Sequence, residues 1–183
     1  MKKKTAIVII ALSLVLCFAV GGTLAWLITQ TDPVVNTFTY GDINITLTET
    51  TGDEYKMIPG NEISKNPKVS VLADSEACWL FVEITKSATY GTYLEDYAIA
   101  AGWTKLGEEA DVYYREVSAE DAKNGVDYQV LAGDKVKVSE KVTKEMMEDI
   151  KKGTVDEPTL TFKAYAVQKD GFDTAKAAWD EIN

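Results

Sequence analysis

Residues 78–84, Cys-Trp-Leu-Phe-Val-Glu-Ile, are apolar on both faces of an extended chain. In a strand, successive side chains point to opposite faces. The two sets would be Cys78, Leu80, Val82 and Ile84 on one face and Trp79 and Phe81 on the other. A strand with two apolar faces is typical of the interior of a sheet that is covered on both sides. The sequence therefore predicts a central strand here, with the rest of the fold packed around it.

Shorter strands are predicted on either side of this segment. Ile43, Ile45 and Leu47 alternate with polar residues, which is the pattern of a half-buried strand. Pro59-Gly60 is a turn signal, and Asn66-Pro67 opens a second strand, which carries Val69 and Val71. Further strands are expected at residues 112–117, 126–132, 135–140 and 159–168.

Three short helices are expected between and after these strands, because apolar residues recur there at helical spacing. They cover residues 94–101, 143–152 and 175–182. About seven short strands separated by Gly and Pro turns are typical of an antiparallel sandwich. The predicted fold is mainly β, an antiparallel β-sandwich with short helical insertions that occupies residues 42–183.

The composition narrows the possible functions. The chain has 183 residues, a formal net charge of −10 and no histidine. The negative charge repels phosphate groups, so nucleic acid is not an expected partner. No catalytic residue, metal site or cofactor is predicted, because zinc and nucleophilic sites normally need histidine. Cys78 is interpreted as a buried apolar residue, and acidic pairs such as Glu95-Asp96 as solvated surface charge.

The first 25 residues have the pattern of a cleavable export signal, formed as an N-terminal signal helix. Three lysines precede an uncharged run at residues 6–20, and Gly21-Gly22 would end the helix. Small residues at Thr23 and Ala25 predict cleavage between Ala25 and Trp26. Two other interpretations exist: an uncut segment could anchor the chain in a membrane, and Cys17 could carry a lipid. Leu16 disfavours the lipid, because a small residue normally precedes a lipidated cysteine.

The sequence around this cleavage site has three features of a known family. They are Gly-Gly-Thr-Leu-Ala at residues 21–25, the aromatic Trp26, and Asn-Thr-Phe-Thr-Tyr-Gly at residues 36–41 before a strand. In these features the chain resembles the TasA/camelysin (CalY) family. The resemblance is close around the leader and looser over the remainder, where Pro59-Gly60 and Ala-Tyr-Ala-Val-Gln at residues 164–168 contribute.

The resemblance implies a jelly-roll-like sandwich that is secreted to the cell surface or extracellular biofilm matrix. It also implies a SipW-type signal peptidase as a partner, membrane contact only through the leader, and fibres in which subunits bind one another. Residues 26–41 would then be an extended arm, whose first part adds a strand to the next subunit by β-augmentation. The polymerisation residues would be Trp26, Leu27, Ile28, Val34 and Val35.

The arm and the leader each allow another interpretation. Pro33 lacks a backbone donor, so it limits the length of one continuous donated strand. The arm could instead be the first edge strand of its own domain. If the leader is not cut, the chain would be a monomeric, membrane-anchored surface binding or adhesion module. Some relatives are described as metallopeptidases, but the absence of histidine argues against that activity in this chain.

Overall fold

The computed structural model describes residues 28–30, 43–52, 56–107 and 111–182, and these ranges form a mainly β, antiparallel fold with a few short helices. The strands within them are β1 Ile28–Gln30, β2 Ile45–Thr48, β3 Glu62–Ser64, β4 Lys68–Val71, β5 Cys78–Lys86, β6 Thr104–Lys105, β7 Val112–Val117, β8 Val126–Gln129, β9 Lys135–Lys137 and β10 Leu160–Gln168. The α-helices are α1 Tyr90–Tyr93, α2 Ala119–Asn124, α3 Lys144–Lys151 and α4 Ala175–Glu181.

The largest sheet has five strands in the order β1-β10-β5-β7-β6, and all its pairings are antiparallel. The strand predicted at residues 78–84 is β5, and it lies in the middle of this sheet. All nine residues of β5 pair with β10, from Cys78 opposite Gln168 to Lys86 opposite Leu160. The prediction of a central strand is therefore confirmed.

One face of the large sheet packs against a second, three-stranded sheet in the order β2-β4-β8. A small pair, β3 and β9, lies beside them. The core between the sheets is formed by alternate residues of their strands, as expected for sheets with one buried face. Its fully buried members include Ile43, Ile45, Val69, Val71, Leu80, Val82, Ala164 and Ala166.

Helix α4 covers the opposite face of the large sheet. The Thr174 hydroxyl caps this helix by accepting a hydrogen bond from the Ala177 N–H. The ring of Trp179, only 3% exposed, lies 5.2 Å from the ring of Phe81 and 5.3 Å from that of Tyr165. Strands β5 and β10 are thus buried on both faces, which explains why residues 78–84 are apolar throughout.

A third apolar cluster lies beneath α3. Met146, Met147 and Ile150 on one side of this helix pack against buried residues that include Tyr93 and Val138. The Thr143 hydroxyl accepts a hydrogen bond from the Met146 N–H and fixes the start of the helix. The helices predicted at residues 143–152 and 175–182 are thereby confirmed.

The helix predicted at residues 94–101 is wrong. The helical turn in this region is α1, which precedes those residues, and Leu94 and Ile99 form antiparallel bridges with Val138 and Leu131. Backbone pairing with distant residues replaced the local helical preference. The sequence also missed three short elements: β3, the two-residue β6, and α2, whose first turn is capped by the Ser118 hydroxyl.

The other predicted strands are confirmed, and β8 and β9 are shorter than expected. The predicted turn at Pro59-Gly60 is present, with Gly60 at φ +77°. The predicted signal helix at residues 1–25 lies outside the described residues. In the part of the chain that is described, no helix is long and apolar enough to cross a membrane.

Candidate functional site

The described part of the predicted arm, Ile28–Gln30, is the outer strand β1 of the large sheet. It runs antiparallel to β10, with Ile28 opposite Val167 and Gln30 opposite Tyr165. The remaining predicted residues of the cleavage site and arm, Ala25, Trp26, Leu27, Val34 and Val35, lie outside the described residues. Of the predicted functional residues, the structure therefore places only Ile28.

The outer edge of β10 is longer than the stretch that pairs with the described residues of β1. Strand β10 has nine residues, all paired with β5 on the inner side, whereas β1 pairs with three of them, Tyr165 to Val167. A backbone hydrogen bond contributes about 1 kcal/mol of net stability, so the pairing of the three described residues of β1 contributes on the order of a few kcal/mol. Such an edge is suited to exchanging one extended segment for another of the same type.

Tyr165 and Glu83 form a polar contact beside this edge. The Tyr165 hydroxyl donates a hydrogen bond of 2.8 Å to Glu83 Oε2. Burial, followed by this bond to Glu83 and the charge of its carboxylate, raises the pKa of Tyr165 above its ordinary value of 10.0. The tyrosine therefore remains a neutral donor and holds the carboxylate in place.

Lys163 is the next residue of β10 on the same face. It lies directly opposite Glu83 across the β10–β5 pair and is half-buried. The Glu83 carboxylate accepts the Tyr165 hydroxyl through Oε2. Within the described ranges, Lys163 has no carboxylate within ion-pair distance.

A groove of about 670 Å³ opens beside the N-terminal part of β10. It lies between that part of β10 and the end of β2, with Ile150 of α3 at one side. Its volume is within the range of sites that bind ligands or peptide side chains. Its apolar lining consists of Leu47, Met57, Ile63, Pro67, Leu94, Val136, Ile150, Pro158, Leu160 and Phe162.

One ion pair lies in the wall of this groove. Lys65 is 9% exposed, and its Nζ donates to both carboxylate oxygens of Glu49, at 3.1 and 2.9 Å. The same Nζ lies 5.5 Å from the centre of the Phe162 ring. A buried ammonium needs this compensation, because removing it from water is otherwise costly. The pair adds two charges to a lining whose polar residues also include Thr48, Glu157, Thr159 and Thr161.

Lys86, Tyr97 and Asp111 form a second cluster of polar and charged side chains. The Tyr97 hydroxyl donates to Asp111 Oδ2 at 3.0 Å, and Lys86 Nζ lies 3.4 Å from the same oxygen. Burial alone would raise the pKa of Asp111, but the bonds from Tyr97 and Lys86 outweigh it and lower the pKa. Lys86 also bonds to Asp96, and its pKa is raised because these acids outweigh its own burial. These groups hold fixed charges and stabilise the surface around α1.

Cys78 does not offer a reactive site. It is fully buried in the core between the sheets, and burial raises the pKa of its thiol from 9.0 to about 12. The thiolate that attacks or binds metal is therefore not formed at neutral pH. The described ranges also hold no cluster of three or more residues able to bind a metal ion.

Neither the protein-family models, nor the curated proteins, nor the solved structures give a match to this chain. The interpretation of the site therefore depends on the geometry of the chain itself.

Sequence reasoning missed the groove, the Lys65–Glu49 pair and the position of Lys163. Lys65 lies between Ser64 and Asn66, a polar context that resembles an exposed turn. Its partner is 16 residues away and is brought close by the fold. The one available signal was the alternation in residues 159–168, which places Lys163 on the face opposite Phe162 and Ala164.

Proposed function

We propose that the chain is a secreted structural protein of the cell surface or biofilm matrix, which assembles into fibres by donating its N-terminal arm. After removal of residues 1–25, the arm at residues 26–41 of one subunit would pair with β10 of the next. The role is structural rather than catalytic. The proposal includes a jelly-roll-like arrangement of the two facing sheets.

The pairing of β1 with the edge of β10 is the observation that carries this proposal. Ile28–Gln30, which follow shortly after the predicted cleavage site, form a strand, and among the described strands it lies at the edge of the large sheet. Within one chain, β1 occupies its own β10. In a fibre the same edge accepts the neighbour's arm in the same register, so assembly replaces one set of hydrogen bonds with an equivalent set.

The groove supports the proposal because it continues the same edge. Because Pro33 lacks a ladder donor, continuous pairing of an incoming arm would end before it, and Val34 or Val35 would follow as an apolar side chain for the groove beside Leu160. Burial of one valine side chain contributes about 1.5–3 kcal/mol. The arm would therefore gain backbone pairing along β10 and an apolar anchor at its end.

The leader explains how assembly would be controlled. While residues 1–25 remain attached, the arm is tied to the membrane and cannot reach another subunit. Cleavage by a SipW-type signal peptidase between Ala25 and Trp26 would release it. Export and assembly would then be linked in one step.

Electron microscopy of the purified mature protein tests the proposal. A chain that begins at Trp26 is expected to form filaments, and a chain lacking residues 26–35 is expected to stay monomeric. A third chain, in which residues 26–35 are replaced by a Gly/Ser segment of equal length, separates loss of the arm's sequence from loss of its length. It is expected to behave like the deletion.

Two results would contradict the proposal. Filaments formed equally well by all three chains would show that the arm is not the connecting element. An exported protein whose N-terminal residue is Met1 would show that the leader is retained, as in a membrane-anchored surface module.

A further inference from the structure

We propose that Arg115, Tyr128 and Trp103 form a binding site for a carboxylate group that is carried on an aromatic or a sugar ring. Arg115 is the only arginine of the chain. It lies on β7, which is separated from β1 by the two central strands β5 and β10. The site is therefore distinct from the edge that the arm would occupy, and it adds a ligand to the proposed structural role.

Strands of the two facing sheets bring the site together. Arg115 lies opposite the fully buried Leu80 of β5, so its side chain points towards the small sheet. Tyr128 of β8 lies opposite the fully buried Val69 of β4 and points towards the large sheet. The two side chains meet, and Arg115 Cζ lies over the Tyr128 ring at 3.5 Å from its centre. Arg115 therefore reaches from one sheet to the other.

Trp103 completes the site from the segment that precedes β6. Its ring centre lies 5.3 Å from Arg115 Cζ and 6.4 Å from the centre of the Tyr128 ring, which it meets edge-on. Its Nε1–H donates a hydrogen bond of 2.8 Å to the backbone carbonyl of Gln129, and this bond fixes the indole beside β8. All three side chains of the site are half-buried, so part of each remains open to a ligand.

The guanidinium of Arg115 has no acidic partner among the described residues. None of their carboxylates lies within ion-pair distance of it, and its Nε is buried without an acceptor. Lysines such as Lys68 and Lys105 do form ion pairs. Arginine is better suited than lysine to a carboxylate, because two parallel N–H groups can donate to its two oxygens. In a chain with 29 acidic residues, this donor set is left for an acid from outside the described fold.

The surroundings of Arg115 keep its charge in a partly dry place. Burial lowers the pKa of its guanidinium, and the nearby Tyr128 and Asp121 offset part of that effect. Arginine stays protonated at physiological pH even so. Asp121 lies beyond ion-pair distance, and its Oδ2 accepts the Ser118 hydroxyl at 2.9 Å. Cation–π attraction to the rings compensates the desolvation, and hydrogen bonds to a charged donor are stronger here than in water.

Gly102 keeps the approach to the guanidinium open. A Cβ atom at this position would lie 2.8 Å from Nη2 and 3.4 Å from Nη1 of Arg115. Any side chain at residue 102 would therefore press on these two donors and cover them. With glycine here, a carboxylate can approach the guanidinium edge, and the ring that carries it can contact the exposed part of Trp103.

Ligand-observed NMR with saturation transfer from the protein tests the site, because it detects weak binding to monomers and to filaments. The protein is the mature chain that begins at Trp26. Benzoate and glucuronate supply the carboxylate on an aromatic and on a sugar ring, and benzamide and glucose are their neutral counterparts. At least one acid is expected to bind about tenfold more tightly than its counterpart. The acid that binds more tightly identifies the class of molecule that the site takes.

Substitutions then assign the binding to Arg115. Arg115→Met removes the charge at similar volume and is expected to weaken binding by about tenfold or more. Arg115→Lys keeps the charge but loses the planar pair of donors, so a loss of about fivefold is expected. Gly102→Ala leaves Arg115 in place, covers its donors and is expected to weaken binding as well. Lys123→Met, on exposed α2, removes the same charge elsewhere and is the control, with binding expected to be unchanged.

Three results would overturn the inference. They are binding by Arg115→Met that equals binding by the original chain, binding of both neutral compounds that equals binding of the acids, and no binding of either acid at millimolar concentration. Circular dichroism of each variant confirms that it is folded. Filament formation by Arg115→Met is measured in parallel and is expected to be unchanged, so failure of the ligand site and failure of strand donation are distinguished.

Discussion

The buried ion pair between Lys65 and Glu49 allows a prediction in which two similar substitutions have unequal costs. At 2.9 Å, and with an effective dielectric constant of about 20, the attraction is about 6 kcal/mol before desolvation is subtracted. The side chain of Lys65 is 11% exposed and that of Glu49 is 24% exposed. The lysine therefore depends on the pair more than the glutamate does.

Glu49→Gln leaves the ammonium of Lys65 buried without its carboxylate and is expected to cost about 2–3 kcal/mol of unfolding free energy. Lys65→Met leaves the better exposed Glu49 to water and fills the same volume, so about 1 kcal/mol is expected. The double variant removes both charges and is expected to cost no more than Lys65→Met alone. The coupling energy would then be about 2 kcal/mol.

Urea unfolding of the chain starting at residue 43, which lacks the arm, measures these values without interference from assembly. The exposed pair Lys68–Asp127 is the matched control, because its side chains are 34% and 57% exposed at a distance of 2.6 Å. Its coupling energy is expected to be below about 1 kcal/mol. A coupling energy for Lys65 and Glu49 below about 0.5 kcal/mol would refute the assignment of a buried, mutually dependent pair.

Other substitutions test the packing and the titrating groups. Trp179→Ala should cost about 3–5 kcal/mol in urea unfolding, because it uncovers Phe81 and Tyr165; a cost below 1 kcal/mol would contradict the assigned packing of α4. Gly102→Ala should cost about 1–2 kcal/mol, since its φ is +87° and a Cβ would lie 2.8 Å from the Arg115 guanidinium; an unchanged unfolding midpoint would argue against this backbone conformation. Cys78 should react with a thiol reagent only on unfolding, as its pKa of about 12 implies, and rapid labelling of the folded chain would disprove its burial. Because the folded-state pKa of Asp111 lies below 3.8, its contribution to stability is present above 3.8 and is lost as the pH falls from 3.8 through the folded-state pKa; Asp111→Asn should therefore show a smaller loss of stability as the pH is lowered below about 4.

Local patterns predicted the central strands well. Residues 78–84 are apolar on both faces, and only a strand between two covered faces satisfies that pattern. Residues 159–168 were predicted from the alternation of Phe162, Ala164 and Ala166 with more polar neighbours. The sequence did not show that Tyr165 and Val167 on the other face are also buried, because α4, which covers them, lies later in the chain.

Contacts between distant residues could not be predicted in this way. Leu94 and Ile99 have helical spacing, but their partners Val138 and Leu131 are more than 30 residues away in the chain. The groove arises where β2, β10 and α3 come together, and none of these segments alone carries a sign of it. Lys65 and Lys163 resemble ordinary surface lysines until the fold defines their neighbours.

Burial in the large sheet is concentrated in its two central strands, β5 and β10. The pair β5–β10 extends over nine residues and is covered on one face by the small sheet and on the other by α4. The described β1 pairs with three of the nine residues of β10 at the edge of the sheet. Local opening requires only the free energy of the contacts that are broken, so loss of β1 costs far less than global unfolding. The proposed donation of the arm requires such a local opening, in which the edge strand leaves while β5 and β10 stay paired.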